Sequence, residues 1–298
     1  MAYKMDIISV ESLTKNFMQT HVIKSILKLS RWNEYYGKAF LISVLAISLS
    51  PNTSVLQGVY LVLANLFSNA FSFMINDVED SEDDALDANK RKRNAISANM
   101  ITRRAGYALS ILTALLSMLF YTLLGPIPAA LGFSGLLLGF MYSWKVTRLK
   151  SKPLIDILSH GLFLGALQFY VGTFNSQTDP FMINMIGLSI FTLSALGDVS
   201  NEIRDYEVDM KAGLKNTASI IKLTVIGPFL PYLTIIPIIP IYGYAIIEAT
   251  DPIRLLLIIS TITIAVHYLL TEHKRKGDLY AYRYRHISFT LLSILILL

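Results

Sequence analysis

The chain has 298 residues, 53% of them hydrophobic and only 16% charged, with a mean hydropathy of +0.51. That is far more apolar than a soluble domain of this length, which needs more charged surface. Cysteine is absent, which excludes thiolate catalysis, cysteine-bound zinc and disulfides.

The N-terminal stretch MAYKMDIISVESLTKN is polar and mixed in charge and lacks the pattern of a signal peptide. It is expected to form a cytoplasmic tail. His21 to Ser30 reads as an amphipathic helix, with Val22, Ile23, Ile26 and Leu27 in one stripe and Lys24 and Lys28 one turn apart. Such a helix suits the bilayer surface; a plain extension of the first span is the alternative.

Uncharged windows of about 20 residues, the length needed to cross the hydrocarbon core, recur along the chain. Expected spans run over Arg31–Ser50, Ser54–Ile75, Thr102–Leu124, Ile127–Trp144, Leu154–Phe174, Phe181–Ser200, Ile220–Ile247 and Pro252–Leu270. The seventh carries Pro228, Pro231, Pro237 and Pro240 and is expected to kink or break. A last apolar piece, His286–Leu298, has 13 residues, short for a full span. The expected fold is an all-α polytopic bundle of about nine transmembrane helices, two four-helix halves plus a last helix, forming a single membrane-embedded domain.

The formal charge is +5 and the pI about 9.2. All 26 Lys and Arg residues except Arg254 fall on one side of the expected spans. By the positive-inside rule the N-terminus and the long polar loops are cytoplasmic. The basic balance thus reports topology and needs no nucleic-acid partner.

At the end of span two, Asn76 to Asp87 reads NDVEDSEDDALD, seven of twelve residues acidic. Like charges three or four apart destabilise a helix. Asn76, Asp77, Asp80 and Asp84 share one helical face, which a bound cation would stabilise. After span six the loop NEIRDYEVDMKAGLKNTA repeats the pattern 125 residues on, with Asn201, Glu202, Asp205, Glu207 and Asp209 under Asn76, Asp77, Asp80, Glu82 and Asp84. Two matching clusters, each ending an even-numbered span, point to related halves. A solvated acidic loop is the bland alternative. An EF-hand starting at Asp80 is excluded, because Ala85 stands where the calcium loop needs Gly.

Facing carboxylate-lined helix ends suit a hard divalent cation. Mg²⁺ leads, since it usually takes one or two carboxylates plus phosphate oxygens. Lys90, Arg91, Lys92, Arg93, Lys145, Arg148, Lys150, Lys152, Lys211 and Lys215 cluster nearby. Carboxylates and cations together fit a metal-bridged phosphate ester. A head group at the membrane rim above an apolar bundle implies an amphiphile, and a polyprenyl diphosphate fits. Tyr142, Phe140, Phe169 and Tyr170 are candidates to flank an allylic cation, with packing as the alternative. Two rivals remain: an intramembrane terpene cyclase, and a divalent-cation transporter with two acidic gates.

The sequence resembles the UbiA superfamily of intramembrane prenyltransferases. The first motif is similar to the family's N-D-x-x-D-x-x-x-D through Asn76, Asp77, Asp80 and Asp84. The second is similar to its D-x-x-x-D through Asp205 and Asp209, with Gly213, Lys215 and Thr217 also in pattern, and the Tyr142-Ser143 … Arg148-Leu149-Lys150 run is alike as well. The resemblance implies a nine-helix bundle, Mg²⁺ dependence, a polyprenyl diphosphate donor and a lipophilic acceptor. The expected metal-holding and catalytic carboxylates are Asp77, Asp80, Asp84, Asp205 and Asp209. Asn76, Asn33, Arg93, Tyr142, Arg148, Lys150 and Lys215 are expected to bind diphosphate, while Glu79, Asp83 and Asp87 are expected to point elsewhere. The loop KRKRNAISA departs from the family: Asn94 stands where Pro is usual and Ala98 where Gly is usual, which argues against a 4-hydroxybenzoate acceptor.

Asp156 and His160 lie one turn apart near the start of span five. Intramembrane ionisable groups are functional candidates; orienting or deprotonating an acceptor and simply pairing with each other are the two readings. Asn65 and His267 are expected to make interhelical hydrogen bonds.

Overall fold

The computed structural model describes residues 22–211, 213–221 and 235–249, with short or single positions between 233 and 293. Among the described residues the regular structure is helical throughout. The last apolar piece falls largely outside the described residues and the expected eighth span partly so; His267, Pro228 and Pro231 also lie outside them.

Helix α1 covers residues 22–29. Val22, Ile23 and Leu27 are exposed, while Leu29 is buried with Met74 and Ala95. Helix α2 (Trp32–Ser48) follows.

Helix α3 (Val55–Asp84) starts at a capping box: Ser54 Oγ accepts from Gln57 N, and the Gln57 side chain accepts from Ser54 N. Its 30 residues make it about 45 Å long, more than the roughly 30 Å hydrocarbon core. The helix therefore carries the acidic stretch beyond the apolar run instead of ending at Ile75. Hydropathy marks where lipid contact stops, not where backbone hydrogen bonding stops. A short helix, α4 (Ala88–Arg93), is capped by Asp87 and carries Lys90, Arg91, Lys92 and Arg93.

Helix α5 (Arg103–Leu124) turns its small residues Gly106, Ser110, Thr113 and Ser117 inward. Ser117 Oγ donates to the Ala64 carbonyl of α3 at 2.9 Å. Small side chains let two membrane helices approach closely. Its opposite face, Ile111, Leu112, Leu115 and Leu119, is exposed, as a lipid-facing stripe requires. Helix α6 (Pro126–Ser143) starts at a proline after Gly125.

Helix α7 (Ile155–Thr173) is interrupted by a π turn at Leu162–Ala166. Helix α8 (Pro180–Lys211) has 32 residues. It too outruns the expected span: residues 201–211, expected as a loop, continue the helix. Helices α9 (Thr217–Ile221) and α10 (Ile239–Ile247), the latter led in by a 3₁₀ turn at Ile236–Ile238, follow.

Helices α3, α5, α6, α7 and α8 are long and apolar enough to cross a membrane. Ile42, Leu45, Leu61, Tyr121, Phe169, Ile186, Ile190 and Ile241 join six of the helices into the main core. A polar belt crosses it. Asn65 donates to Ser43 Oγ at 2.9 Å and accepts from Tyr121 Oη at 2.9 Å, and Asn69 donates to Gln168 Oε1 at 2.9 Å. Asn65 thus makes the interhelical bonds expected of it.

Candidate active site

The polar ends of α3 and α8 open into one cavity. Asn76, Asp80, Asp83 and Asp84 line it from α3, and Asp198, Asn201, Glu202, Asp205 and Asp209 from α8. Arg31, Lys90, Arg93, Arg148, Lys150 and Arg204 supply its positive charge. Ser72, Phe73, Tyr142, His160, Phe163 and Leu164 form the part nearer the membrane interior. The four-residue spacing places Asn76, Asp80 and Asp84 on one stripe, and Asn201, Asp205 and Asp209 on its counterpart.

Asp80, Asp83, Asp84, Asp205 and Asp209 are each held by a cation or an amide. Asp80 accepts from Lys150, which also donates to Asn76 Oδ1 at 3.0 Å. Arg148 reaches Asp83 at 2.6 Å and Asp80 at 3.5 Å. Asp83 therefore faces the cavity, against the expectation that it points elsewhere, because Arg148 draws it round. Asp205 accepts two bonds from Arg204, at 2.9 and 2.8 Å. Lys90 Nζ donates to Asp209 Oδ1 at 2.8 Å, so α4 of the first half closes onto the second motif. Arg93 reaches both carboxylate oxygens of Glu34, at 2.9 and 2.7 Å.

Arg31 and Arg148 both adopt left-handed backbone, with φ of 49° and 38°. Non-glycine residues held there cost about 1–3 kcal/mol each. Here the two outliers aim guanidinium groups at the first motif. The Lys90 ammonium, outside the spans, has its pKa raised: burial opposes the charge, but Asp209 and Asp205 outweigh burial.

Asp77 does not line the cavity. It is fully buried and paired with Arg31. One residue after Asn76 on the helix, it lies about 100° round from that stripe, toward the start of α2. Glu79 is likewise buried, accepting from Tyr107 Oη at 2.6 Å and from Lys145 N at 3.1 Å, and Asp87 caps α4. Asn33 and Lys215 are exposed and outside the cavity lining. Of the four aromatic candidates only Tyr142 is among the lining residues; Phe169 packs in the core and Phe140 stacks on Trp144. Phe73 and Phe163 take the other aromatic positions.

The sequence alone did not place Asn94, Asp198 or Ser194 at the site. Asn94 is buried and donates to Asp84 Oδ2 at 2.9 Å. Asp198 lies on the cavity wall and accepts from Tyr142 Oη at 2.7 Å; an Asp inside an apolar run was its available signal. Ser194, one turn earlier, bonds His160. Asp156 is occupied elsewhere: Thr217 N and Oγ1 donate to it at 2.7 and 2.6 Å.

The donor set is all oxygen: carboxylates of Asp80, Asp84, Asp205 and Asp209 with the amide oxygens of Asn76 and Asn201. That suits Mg²⁺ rather than a softer metal. Among the described residues no three acidic or imidazole side chains gather as a ready-made cage. Mg²⁺ does not need one, since it binds through one or two carboxylates and completes its shell with water and phosphate oxygens.

The sequence profile of the UbiA prenyltransferase family matches residues 39–292. The chain belongs to the UbiA prenyltransferase family. It is therefore a membrane-embedded prenyltransferase. Solved structures share its fold at low identity. A UbiA homolog from Archaeoglobus fulgidus bound to DMAPP and Mg²⁺ superposes with a TM-score of 0.68 at 22% identity, covering 91% of this chain and 99% of that one. A digeranylgeranylglyceryl phosphate synthase gives 0.66 at 16% identity over 92% of this chain and 97% of that one. The apo UbiA homolog from Aeropyrum pernix K1 gives 0.66 at 12% identity with the same coverages. No curated protein sequence matches the chain.

Proposed function

We propose that the protein transfers a polyprenyl group from a polyprenyl diphosphate to a lipophilic acceptor inside the bilayer, with Mg²⁺, releasing pyrophosphate. One observation carries this reading. Carboxylates from two homologous helix ends and six basic side chains share a cavity whose inner wall is aromatic. Homologs of this fold bound to DMAPP and to GPP, each with Mg²⁺, support it.

Asp80, Asp84, Asp205 and Asp209 are the groups that would hold Mg²⁺, with Asn76 and Asn201 beside them. Bound there, Mg²⁺ would supply electrostatic stabilisation to the departing diphosphate. Lys150, Arg148, Lys90 and Arg93 exchange their carboxylate partners for diphosphate oxygens, so the ionic partners seen here are replaced rather than lost. Asp77 acts behind the site by fixing Arg31. As the allylic C1–O bond breaks, its electron pair leaves with the diphosphate. Tyr142, Phe73 and Phe163 face the carbocation with their electron-rich rings. The wall of Ser72, Phe163 and Leu164 receives the prenyl chain. The charge distribution of the sequence supports a cytoplasmic site and N-terminus.

The test is one incubation. Labelled prenyl diphosphates of several lengths, Mg²⁺ and a lipid extract of the source cells are mixed with the protein, and products are identified by mass spectrometry. A prenylated lipid formed one-to-one with pyrophosphate is expected. A cyclised hydrocarbon from donor alone would replace this reading with a terpene cyclase, and metal flux in sealed vesicles without donor would replace it with a transporter.

A further inference from the structure

The proposed reaction needs more than a leaving-group clamp. An acceptor Nu–H that attacks C1 must also lose its proton, and the metal-holding carboxylates cannot take it while coordinating a cation. A second set of polar groups lies deeper in the same cavity. Asp198 precedes Asp205 by two helical turns, about 10 Å along α8. It faces His160 of α7, with His160 Nε2 3.9 Å from Asp198 Oδ1. Tyr142 Oη donates to the same oxygen at 2.7 Å. All three line the cavity, and His160 and Asp198 are both buried.

Hydrogen bonds hold the His160 ring from its Nδ1 side. Ser194 Oγ lies 3.2 Å from the His160 carbonyl oxygen and 3.3 Å from His160 Nδ1. Lys38 Nζ donates to Ser194 Oγ at 3.0 Å. With the hydroxyl hydrogen on the carbonyl, Nδ1–H donates to Ser194 Oγ. Nε2 is then the basic nitrogen, on the side of Tyr142 and Asp198.

The local backbone is built for this approach. The π turn at Leu162–Ala166 begins two residues after His160, and such turns recur at functional sites. A Cβ on Gly165 would sit 2.9 Å from Ser194 Cβ and 3.1 Å from the Ile190 carbonyl oxygen. Glycine there lets α7 press against α8 and brings His160 to Ser194.

We propose that His160 Nε2 accepts the proton the acceptor loses on prenylation, with Asp198 as a positioning residue that stabilises the imidazolium. This rests on the prenyl-transfer reading above. The Nu–C1 bond forms, the C1–O bond to diphosphate breaks with its electron pair leaving on diphosphate, and the proton passes to Nε2. Tyr142 fixes the Asp198 carboxylate, and Ser194 with Lys38 fixes the ring. The charged and titratable groups around the imidazole are Asp198 and Glu202 on α8, Tyr142 on α6, Lys38 on α2 through Ser194, and Asp156 one turn back on α7, which Thr217 engages. The arrangement serves an acceptor with an ionisable hydroxyl or a carbon that sheds a proton after attack.

The test uses the full chain in nanodiscs. Geranyl diphosphate binding with Mg²⁺ is measured by calorimetry, and label transfer into a lipid extract of the source cells by chromatography. In His160→Gln, donor binding stays within about twofold while transfer falls by about 100-fold or more. In Asp198→Asn, transfer persists, but the acidic limb of its pH profile moves to lower pH, because the imidazolium has lost its anion. Transfer by His160→Gln within threefold of wild type overturns the proposal, as does joint loss of donor binding and transfer, and so does an unmoved acidic limb in Asp198→Asn. A wild-type chain that binds donor yet labels no lipid fails the prenyl-transfer reading itself, and this inference with it.

Discussion

Asn94 donates from Nδ2 to Asp84 Oδ2 at 2.9 Å, locking the last carboxylate of the first motif from a loop ten residues further on. Asn216 repeats this on the second motif, donating to Asp209 Oδ2 at 3.3 Å. Both amides are buried, and both also organise their own turn. Asn94 Oδ1 accepts from Ile96 N and Ser97 N, and Asn216 Oδ1 accepts from Ser219 N. The repeat between halves therefore extends past the acidic helices to Asn-Ala-Ile-Ser at 94–97 and Asn-Thr-Ala-Ser at 216–219.

Asn94→Ala removes a carboxylate partner and strands two backbone donors. An unmade buried hydrogen bond costs about 1–3 kcal/mol, and groups that orient metal ligands are worth about 10–100-fold in metal affinity. The variant should melt earlier and need about 10-fold or more Mg²⁺ for half-maximal pyrophosphate release. Asn216→Ala should behave alike. A melting curve and an Mg²⁺ titration check both.

Lys90 is the counter-ion of Asp209, and the proposed reaction gives it a second role as diphosphate ligand. Lys90→Met should raise the donor KM about 10-fold or more, as loss of a charge-assisted contact does, with a smaller change in kcat. The linkage has a definite sign. The folded-state pKa of Lys90 lies above its usual value, so the pair's stabilisation is fully present below the ordinary lysine range and is lost as pH rises through the raised value. Thermal melts from pH 6 to 9 should show no loss attributable to Lys90, tested by the difference between wild type and Lys90→Met.

Asp156 belongs to packing. Its oxygens accept from Thr217 N, Thr217 Oγ1 and Ile157 N, which ties α9 to the start of α7. Asp156→Ala should lower stability by several kcal/mol, as loss of a buried charged acceptor does. Activity per folded molecule should fall far less than in any cavity carboxylate variant. Melting and active-site titration separate the two effects.

Gly165 should reject even a methyl group. Its Cβ would meet Ser194 Cβ and the Ile190 backbone, and backbone cannot yield as a flexible side chain can. Gly165→Ala should destabilise by about 1–3 kcal/mol and slow transfer by displacing His160. Gly37→Ala, where a Cβ meets nothing within 4 Å, is the control and should lie near wild type.

Much of this site was legible because carboxylates four apart form a stripe whatever surrounds them, and because the same stripe recurs 125 residues on. Helix ends were less legible, since α3 and α8 run on through polar sequence that hydropathy assigns to loops. Asp77 matches the motif, yet its side chain belongs to Arg31, a partner from another helix that spacing alone cannot show. Asp83 was left out for its helical angle and is drawn in by Arg148. His160 was visible as an intramembrane titratable group. Its partners Asp198, Ser194 and Lys38 come from two other helices, so only the packed bundle brings them together.

The central claim is that the two halves act as one clamp, each holding the same diphosphate through metal. Asp80→Asn and Asp205→Asn, one substitution per half, test it most directly, with Mg²⁺-dependent pyrophosphate release from a prenyl diphosphate as readout and a melting curve as the fold check. Each variant alone should lose about 100-fold or more of the release, the scale expected when a group acting on transition-state charge is removed, while keeping a folded chain. Full release by either folded variant would contradict a two-sided clamp.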